Sequence, residues 1–419
     1  MADRITVIGW DGTPLTEAAA SALAGATLVA GAPYQLAALP VPAGAERLTL
    51  GSVQQAARRI TEHRGAAVVV AEGDPGYFGV VRELRRPEYG LELEVLPGVS
   101  SVAAAFARAG MPWEDAQVVS AHGGRLRRAA NVCRAYPKVA VLTTAGAGPS
   151  ELALMLRGVH RTFVVCEALG TADEDVTVLT SDRVPDHDWR DPAVVLVIGG
   201  AGPNHAPTET SGWLAGRPLG FPGPDRGWAL DAEAYAGAER STGAAGGIGS
   251  ALPPHVRALA LARLGPVPGE LLWAVGAGSG ALAVEIGRFG AAVVAVEASR
   301  SACAQITVNA RRYGVEVEVV HGIGPEVLGG LPEPDAVVVE SGGAEVVRAV
   351  LDRRPERLVA VAHSLGDAEE IRAAIAGAGY RVDGALLQSA PLGPGHGSAA
   401  GLGLGPGEQS LVLWGEQGS

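Results

Sequence analysis

The segment Gly276-Ala277-Gly278-Ser279-Gly280 sets glycine at alternate positions, after an apolar run from Leu271 and before a helix-forming stretch near Ala281. Glycines there permit a tight turn and let a ligand lie against backbone at a helix start. Glu297 closes the next apolar run, 21 positions beyond Gly276. A carboxylate at that place can accept hydrogen bonds from both hydroxyls of a ribose. Strand, glycine loop, helix, strand and acid in this order predict a nucleoside-binding Rossmann-like unit.

Two ligands compete for that loop. Gly276, Gly278 and Ala281 satisfy the relaxed dinucleotide fingerprint, which admits NAD. The tighter G-x-G-x-G form and a terminal pair of β segments favour S-adenosylmethionine, whose amino-acid and ribose portions would pack on the loop. Two further loops follow predicted strand ends, where ligands bind in open α/β sheets: Gly73-Asp74-Pro75-Gly76 and Pro97-Gly98-Val99-Ser100-Ser101.

These loops need elements to hold them. In the N-terminal half, strands are expected at about 4–9, 27–30, 66–71, 93–96, 117–120, 139–143, 163–166 and 194–198, alternating with helices. That βαβ alternation implies largely parallel sheets. From Gly199 to about Ser250 the pattern gives way to Gly, Pro, Ala and Thr with isolated Trp213 and Trp228, which reads as a linker docked in part by its tryptophans. Alternation resumes with a helix at about 255–264 and strands near 293–297, 317–320, 336–339 and 358–362. Segments 385–388 and 410–414 flank the Gly-rich loop Gly393–Gly407 and fit an antiparallel pair. The division expected is 1–200, a linker 201–250, and 251–419.

Composition narrows the function classes. The chain has 419 residues, 47% of them hydrophobic and 19% charged, enough for two or three cores. A net charge of -12 argues against general nucleic-acid binding. Lys138 is the only lysine. Cys133, Cys166 and Cys303 have no metal-ligand spacing, so no metal site is expected. Asp3 and Arg4 precede a short strand rather than an apolar run, and no apolar stretch approaches the roughly 20 residues of a membrane helix. The expectation is a soluble, cytoplasmic protein without a membrane partner.

The ordered set Val7-Ile8-Gly9, Gly73-Asp74-Pro75, Pro97-Gly98-Val99-Ser100-Ser101 and Ser120-Ala121-His122-Gly123 resembles the tetrapyrrole methylases, and Ala109-Gly110-Met111-Pro112-Trp113-Glu114-Asp115 adds to the likeness. Followed by the Rossmann-like half, the chain resembles the fused precorrin-6Y C5,15-methyltransferase (decarboxylating) family of cobalamin biosynthesis. The resemblance implies an α/β protein: a two-subdomain tetrapyrrole-methylase fold, then a class I methyltransferase with a seven-stranded sheet. It implies S-adenosylmethionine as methyl donor, a small tetrapyrrole substrate, homo-oligomers, methylation of meso carbons 5 and 15, and loss of the ring-C acetate carboxyl as carbon dioxide. Carried over by motif, Gly73, Asp74, Pro75, Tyr77, Ser100 and Ser101 would contact the donor in the first half. Gly276 to Gly280, Glu297 and Gly324 of the His321–Pro325 turn would do so in the second.

Methyl transfer to an electron-rich ring carbon needs placement more than a strong base. That suits a sequence with no Ser-His-Asp set or paired carboxylates. His122 and His363 are the catalytic candidates, and Arg125, Arg127 and Arg128 are candidates for the substrate's carboxylates. The chain also departs from the family. Trp10-Asp11-Gly12 replaces a proline-glycine-aspartate turn, Ala274 and Val275 stand where an acid precedes the glycine loop, and Ile323 replaces an acid beside the adenine. Leu252-Pro253-Pro254 replaces a Thr-Lys pair. A second expectation therefore stands beside the first: an active N-terminal methyltransferase with a C-terminal half kept for binding or assembly.

Overall fold

Valine-rich runs such as Ala66–Glu72 and Ala193–Ile198 form strands buried on both faces, as expected where helices cover a sheet. The computed structural model describes residues 4–190, 193–199, 215–216, 227–237, 251–390, 392–394, 402–404 and 407–418. The first sheet contains β1 (Arg4–Trp10), β2 (Leu28–Gly31), β3 (Glu46–Thr49), β4 (Ala66–Glu72) and β5 (Glu94–Leu96), all parallel, in the order β3-β2-β4-β1-β5. Helices α1 (Glu17–Ala24), α2 (Pro33–Ala38), α3 (Val53–Glu62) and α4 (Val80–Leu84) connect its strands.

Helix α5 (Ser101–Ala109) leads into the second sheet, which has the order β6-β7-β10-β8-β9. Its strands are β6 (Gln117–Ser120), β7 (Lys138–Leu142), β8 (Thr162–Glu167), β9 (Asp175–Thr180) and β10 (Ala193–Ile198). Helix α6 (Leu126–Ala135) joins β6 to β7, and α7 (Pro149–Met155) joins β7 to β8. Only β6 and β7 run parallel; the other three pairings are antiparallel. The expectation of largely parallel sheets is thus corrected for this subdomain. The edge strand β9 was missed because Asp175-Val-Thr-Val-Leu-Thr180 mixes polar residues into a half-exposed run.

The C-terminal half has a seven-stranded sheet in the order β13-β12-β11-β14-β15-β19-β16. After α8 (Pro254–Leu264) come β11 (Leu271–Val275), α9 (Ala281–Arg288), β12 (Ala292–Glu297), α10 (Arg300–Arg312), β13 (Glu318–His321) and β14 (Ala336–Val339). Then follow α11 (Gly343–Leu351), β15 (Arg357–Ala362), α12 (Leu365–Gly377) and β16 (Tyr380–Ser389). The short pair β17 (Leu392–Pro394) and β18 (Leu402–Leu404) precedes β19 (Glu408–Gln417). The expected terminal antiparallel pair is present as β16 and β19, each 10 residues long. Trp213 and most of the expected linker lie outside the described residues. Within it, Trp228 meets Phe289 at 5.4 Å between ring centroids, and Tyr235 is buried against Tyr313 and Val284.

One feature ties the halves together. Between β13 and β14 the chain makes only a single 3-10 turn, Leu328–Gly330, so no helix from that crossover covers the sheet. Helix α6 of the N-terminal half packs there against β12. Ala129, Val132, Cys133 and Tyr136 join one core cluster with Trp273, Val294 and Val296. Asn131 donates to the Gly269 carbonyl at 3.0 Å, Arg134 pairs with Glu318 at 3.0 Å, and Arg127 pairs with Asp335 at 2.6 Å. Fully burying a valine-sized side chain contributes about 1.5–3 kcal/mol, whereas a partly exposed ion pair contributes about 0–1 kcal/mol. The apolar face of α6 therefore carries the docking, and the ion pairs set its register.

Candidate functional site

In the first half, three strand ends converge backbone to backbone. A side chain on Gly9 would place its Cβ 2.2 Å from the Gly73 carbonyl oxygen and 2.3 Å from the Gly98 nitrogen. Glycine is required at this junction of β1, the β4 loop and the β5 loop. Gly12 approaches Gly170 of the second subdomain as closely, a Cβ there falling 2.1 Å from the Gly170 carbonyl oxygen. The base of the cleft between the two subdomains is therefore main chain. Partial burial raises the Asp11 carboxyl, but hydrogen bonds from Thr13 and the Val99 N–H outweigh it and hold Asp11 below its ordinary value.

The expected donor contacts Gly73, Asp74, Pro75, Ser100 and Ser101 stand together around that junction. Two of their side chains already have local work. Asp74 accepts from the Gly76 N–H at 2.8 Å, and Ser100 caps α5 by accepting from the Ala103 N–H at 3.1 Å. Tyr77 is exposed and edge-on to Phe78, a non-glycine residue at φ +52°. Such backbone outliers concentrate at functional sites.

Glu72 and Tyr34 were not identified from sequence. Glu72 ends β4 and keeps contact with solvent, yet its depth in the cleft pushes its carboxyl above the usual range, opposed by His122 of the other subdomain. Burial and the neighbouring Glu72 push the Tyr34 hydroxyl up to about 12. His122 Nε2 lies 2.9 Å from the Thr143 carbonyl oxygen. The only available signal was an acid terminating a buried valine strand.

In the second half the glycine loop folds against β12 and β14. The Gly276 and Ala277 N–H groups donate to the Val296 carbonyl at 2.9 and 3.2 Å. A Cβ on Gly276, whose φ is +70°, would sit 2.1 Å from Ser341 Oγ. Gly280 caps the start of α9, and Ala277 and Ser279 are buried, their carbonyls accepting from the Gly280 N–H at 2.8 Å and from Asn309 at 2.9 Å. Glu297 accepts from the Gly278 N–H and the Ser299 N–H, both at 2.8 Å. A carboxylate offers about four acceptor sites, so two remain for ribose hydroxyls. Gly324 folds its turn onto the end of β11, a Cβ there lying 3.1 Å from Val275 Cγ1. Ile323 stands exposed beside it, an apolar surface where the expected acid is missing.

Behind this loop is a buried polar cluster. Arg257 of α8 donates to the Leu252 carbonyl at 3.0 Å, to Glu285 and to the Leu230 carbonyl. Glu285 also accepts from the Tyr235 hydroxyl at 2.6 Å, and burial followed by Glu285 pushes that hydroxyl well up. Glu340, directly after β14, is buried, and desolvation holds its carboxyl well above the ordinary range. Glu285 thus takes the Arg257 guanidinium, and Glu340 has Arg257, Glu297 and Glu285 as charged neighbours.

The other candidates separate. His363 is exposed at the end of β15, with its N–H held by Asp367 at 3.0 Å. Arg125 is exposed at the start of α6, beyond the His122 loop. Arg127 and Arg128 belong elsewhere: Arg127 is engaged by Asp335 and the Glu333 carbonyl, and Arg128 packs by Gly269. Sequence placed them for a substrate; the structure places them on the contact between halves, because α6 docks there. Cys133 and Cys166 are buried, and burial pushes their thiols up to about 12 and about 11. Among the described residues no cluster could hold a metal, and no helix is long and apolar enough to cross a membrane.

Residues 11–185 match the model of the tetrapyrrole (corrin/porphyrin) methylases, and residues 252–397 match that of the precorrin methyltransferase domain. Over 368 residues the chain is 32% identical to precorrin-6Y C(5,15)-methyltransferase (decarboxylating) of Sinorhizobium sp, covering 82% of this chain and 80% of that one. Identity to the protein of the same name from Mycobacterium tuberculosis is 31% over 392 residues, 90% of each chain. A cobalt-precorrin-7 C(5)-methyltransferase of Salmonella typhimurium is 34% identical over 191 residues, 44% of this chain and 92% of that one.

Proposed function

The chain belongs to the precorrin-6Y C5,15-methyltransferase (decarboxylating) family, and from that premise we propose that it methylates a corrin precursor at meso carbons 5 and 15 and removes the ring-C acetate carboxyl. Enzymes of this family are methyltransferases that use S-adenosylmethionine. The donor supplies a methyl group activated on positively charged sulfur. What the protein must add is placement of that methyl over a ring carbon.

The observation that carries the reading is the pair of glycine cradles at strand ends, the second flanked by Glu285, Glu297 and Glu340. The buried, unpartnered Glu340 Oε1 beside the second loop supports a ligand partner there. Between the two ligands the loop alone admits, the family's use of adenosylmethionine favours that donor over NAD. In the first half, Gly73, Asp74, Pro75, Tyr77, Ser100 and Ser101 surround the donor, with Arg125 free to meet a substrate carboxylate at the mouth. Exposed Tyr34 and Phe78 offer flat apolar faces to a macrocycle. Glu72, raised by burial and opposed by the charge of His122 from the other subdomain, can hold a proton in the cleft. In the second half, Gly276 to Gly280, Glu297 and Gly324 hold the donor while the carboxyl edge near His363 is open to the ring.

We place the protein in the cytoplasm as a homo-oligomer, which sedimentation would test. The function itself is tested by incubating the purified chain with precorrin-6Y and adenosylmethionine under anaerobic conditions. The expected product gains two methyl groups and loses one carbon dioxide. A product gaining a single methyl without decarboxylation would overturn the assignment of the second half and leave it a binding or assembly module.

A further inference from the structure

Strands β11 and β14 run in parallel register, with Ala274 opposite Val338 and Val275 opposite Val339. Ala274 and Val338 face the layer of α8 and α9, whereas Val275 and Val339 face the other side of the sheet. The next residue on β14, Glu340, follows the alternation onto the face of Ala274. Its N–H donates to the Val275 carbonyl at 2.9 Å, and the adjoining Ser341 packs on Gly276. Glu340 is 6% exposed, and its Oε1 has no hydrogen-bond partner. Removing a carboxylate from water without a partner is costly unless a proton or a cation accompanies it.

Arg257 eases that cost from nearby but spends its hydrogen bonds elsewhere. Arg257 on α8 is taken up by Glu285, Leu230 and Leu252. The remaining charged neighbours, Glu285 on α9 and Glu297 on β12, are both carboxylates. If the ribose lies at Glu297 beyond one side of β11, the opposite arm of the ligand crosses the glycine loop toward the tip of β14. That arm in adenosylmethionine is an amino acid bearing an ammonium group. The sulfonium lies between, where its methyl must stay open to the substrate.

We propose that Glu340 receives the α-ammonium group of the methyl donor, so that the acid absent at Ala274 is restored from the neighbouring strand on the same face. This inference rests on the reading of the second half as an adenosylmethionine site. In the free protein Glu340 holds a proton; when the ammonium arrives, the proton leaves to buffer and a charge-assisted hydrogen bond replaces it. The departure at Ala274 is then a relocation of the counter-charge rather than its loss.

Calorimetry on the full chain tests this with adenosylhomocysteine, which keeps the ammonium, and 5′-methylthioadenosine, which lacks the amino-acid arm. Titrations in two buffers of different ionisation heat measure the proton released. The E340Q variant should weaken adenosylhomocysteine at one site about ten- to hundredfold. It should abolish the proton release linked to that site and leave methylthioadenosine binding unchanged. Equal weakening of both ligands would make Glu340 a packing residue and overturn the inference, as would a loss confined to adenosylmethionine, which would point to the sulfonium. Two normal sites in E340Q would sink this inference alone. A wild-type chain with one site would sink it together with the reading it rests on.

Discussion

The N-terminal cradle is made of main chain: Gly9, Gly73 and Gly98 meet so closely that no side chain fits between them. The C-terminal cradle combines a glycine loop with buried carboxylates and one guanidinium. As a donor site the first would select by shape, because backbone amides and carbonyls present the same pattern at any pH. The second would sense charge as well and would therefore be sensitive to protonation. Departures from the family pattern fall mostly in the second, where a charge can be moved from one strand to its neighbour without altering the fold.

Substitutions can break that contrast, and the largest effect is expected at Gly9. Gly9→Val should reduce methyl transfer at the first site on the order of a hundredfold or more, since a displacement near 1 Å costs that much. Binding stoichiometry should fall from two donors to one; loss of both sites would mean the cradles are not independent. Glu297→Ala should weaken the second site by roughly 1.5–3 kcal/mol or more, the worth of a hydrogen bond to a charged group, with the first site unchanged by calorimetry. Next in size, Arg125→Ala should raise KM for the carboxylate-bearing substrate, while Arg127→Ala leaves KM unaltered and lowers stability by about 1 kcal/mol at most. A raised KM in Arg127→Ala would return that residue to the substrate.

The smallest effect concerns stability of the free protein. Glu340 has a raised folded pKa, so its contribution is favourable below the unfolded value and is lost as pH rises through the folded one. E340Q should therefore melt above wild type at pH 8, with the gap closing toward pH 4. A gap that widens on acidification would mean that the carboxylate is ionised and paired in the free protein.

Much of this was legible in the residues. Alternating apolar runs located most strands within two residues, and the glycine loops marked both cradles. The edge strand β3 was not legible because Glu46-Arg-Leu-Thr49 is largely exposed and has no apolar pattern. The antiparallel second sheet was hidden because α7 joins β7 to β8 as it would in a parallel unit. Glu72 and Glu340 were missed for a shared reason: each is a single acid ending a valine strand, and only three-dimensional neighbours reveal the cost of its burial. The arginines of α6 drew attention to a substrate, although Ala129, Val132 and Cys133 on the same helix already described a buried face.

That helix has a consequence for how the protein is made. Ribosomes deliver the N-terminal half first, and domains generally fold as units in that order. The surface of α6 is thus already standing when β11 to β14 emerge, and the later sheet assembles on a template rather than closing alone. Splitting the gene between the halves would separate that template from its product. A chain beginning at residue 251 should find a substitute covering, from another copy of itself or from a supplied N-terminal half, before its sheet becomes stable.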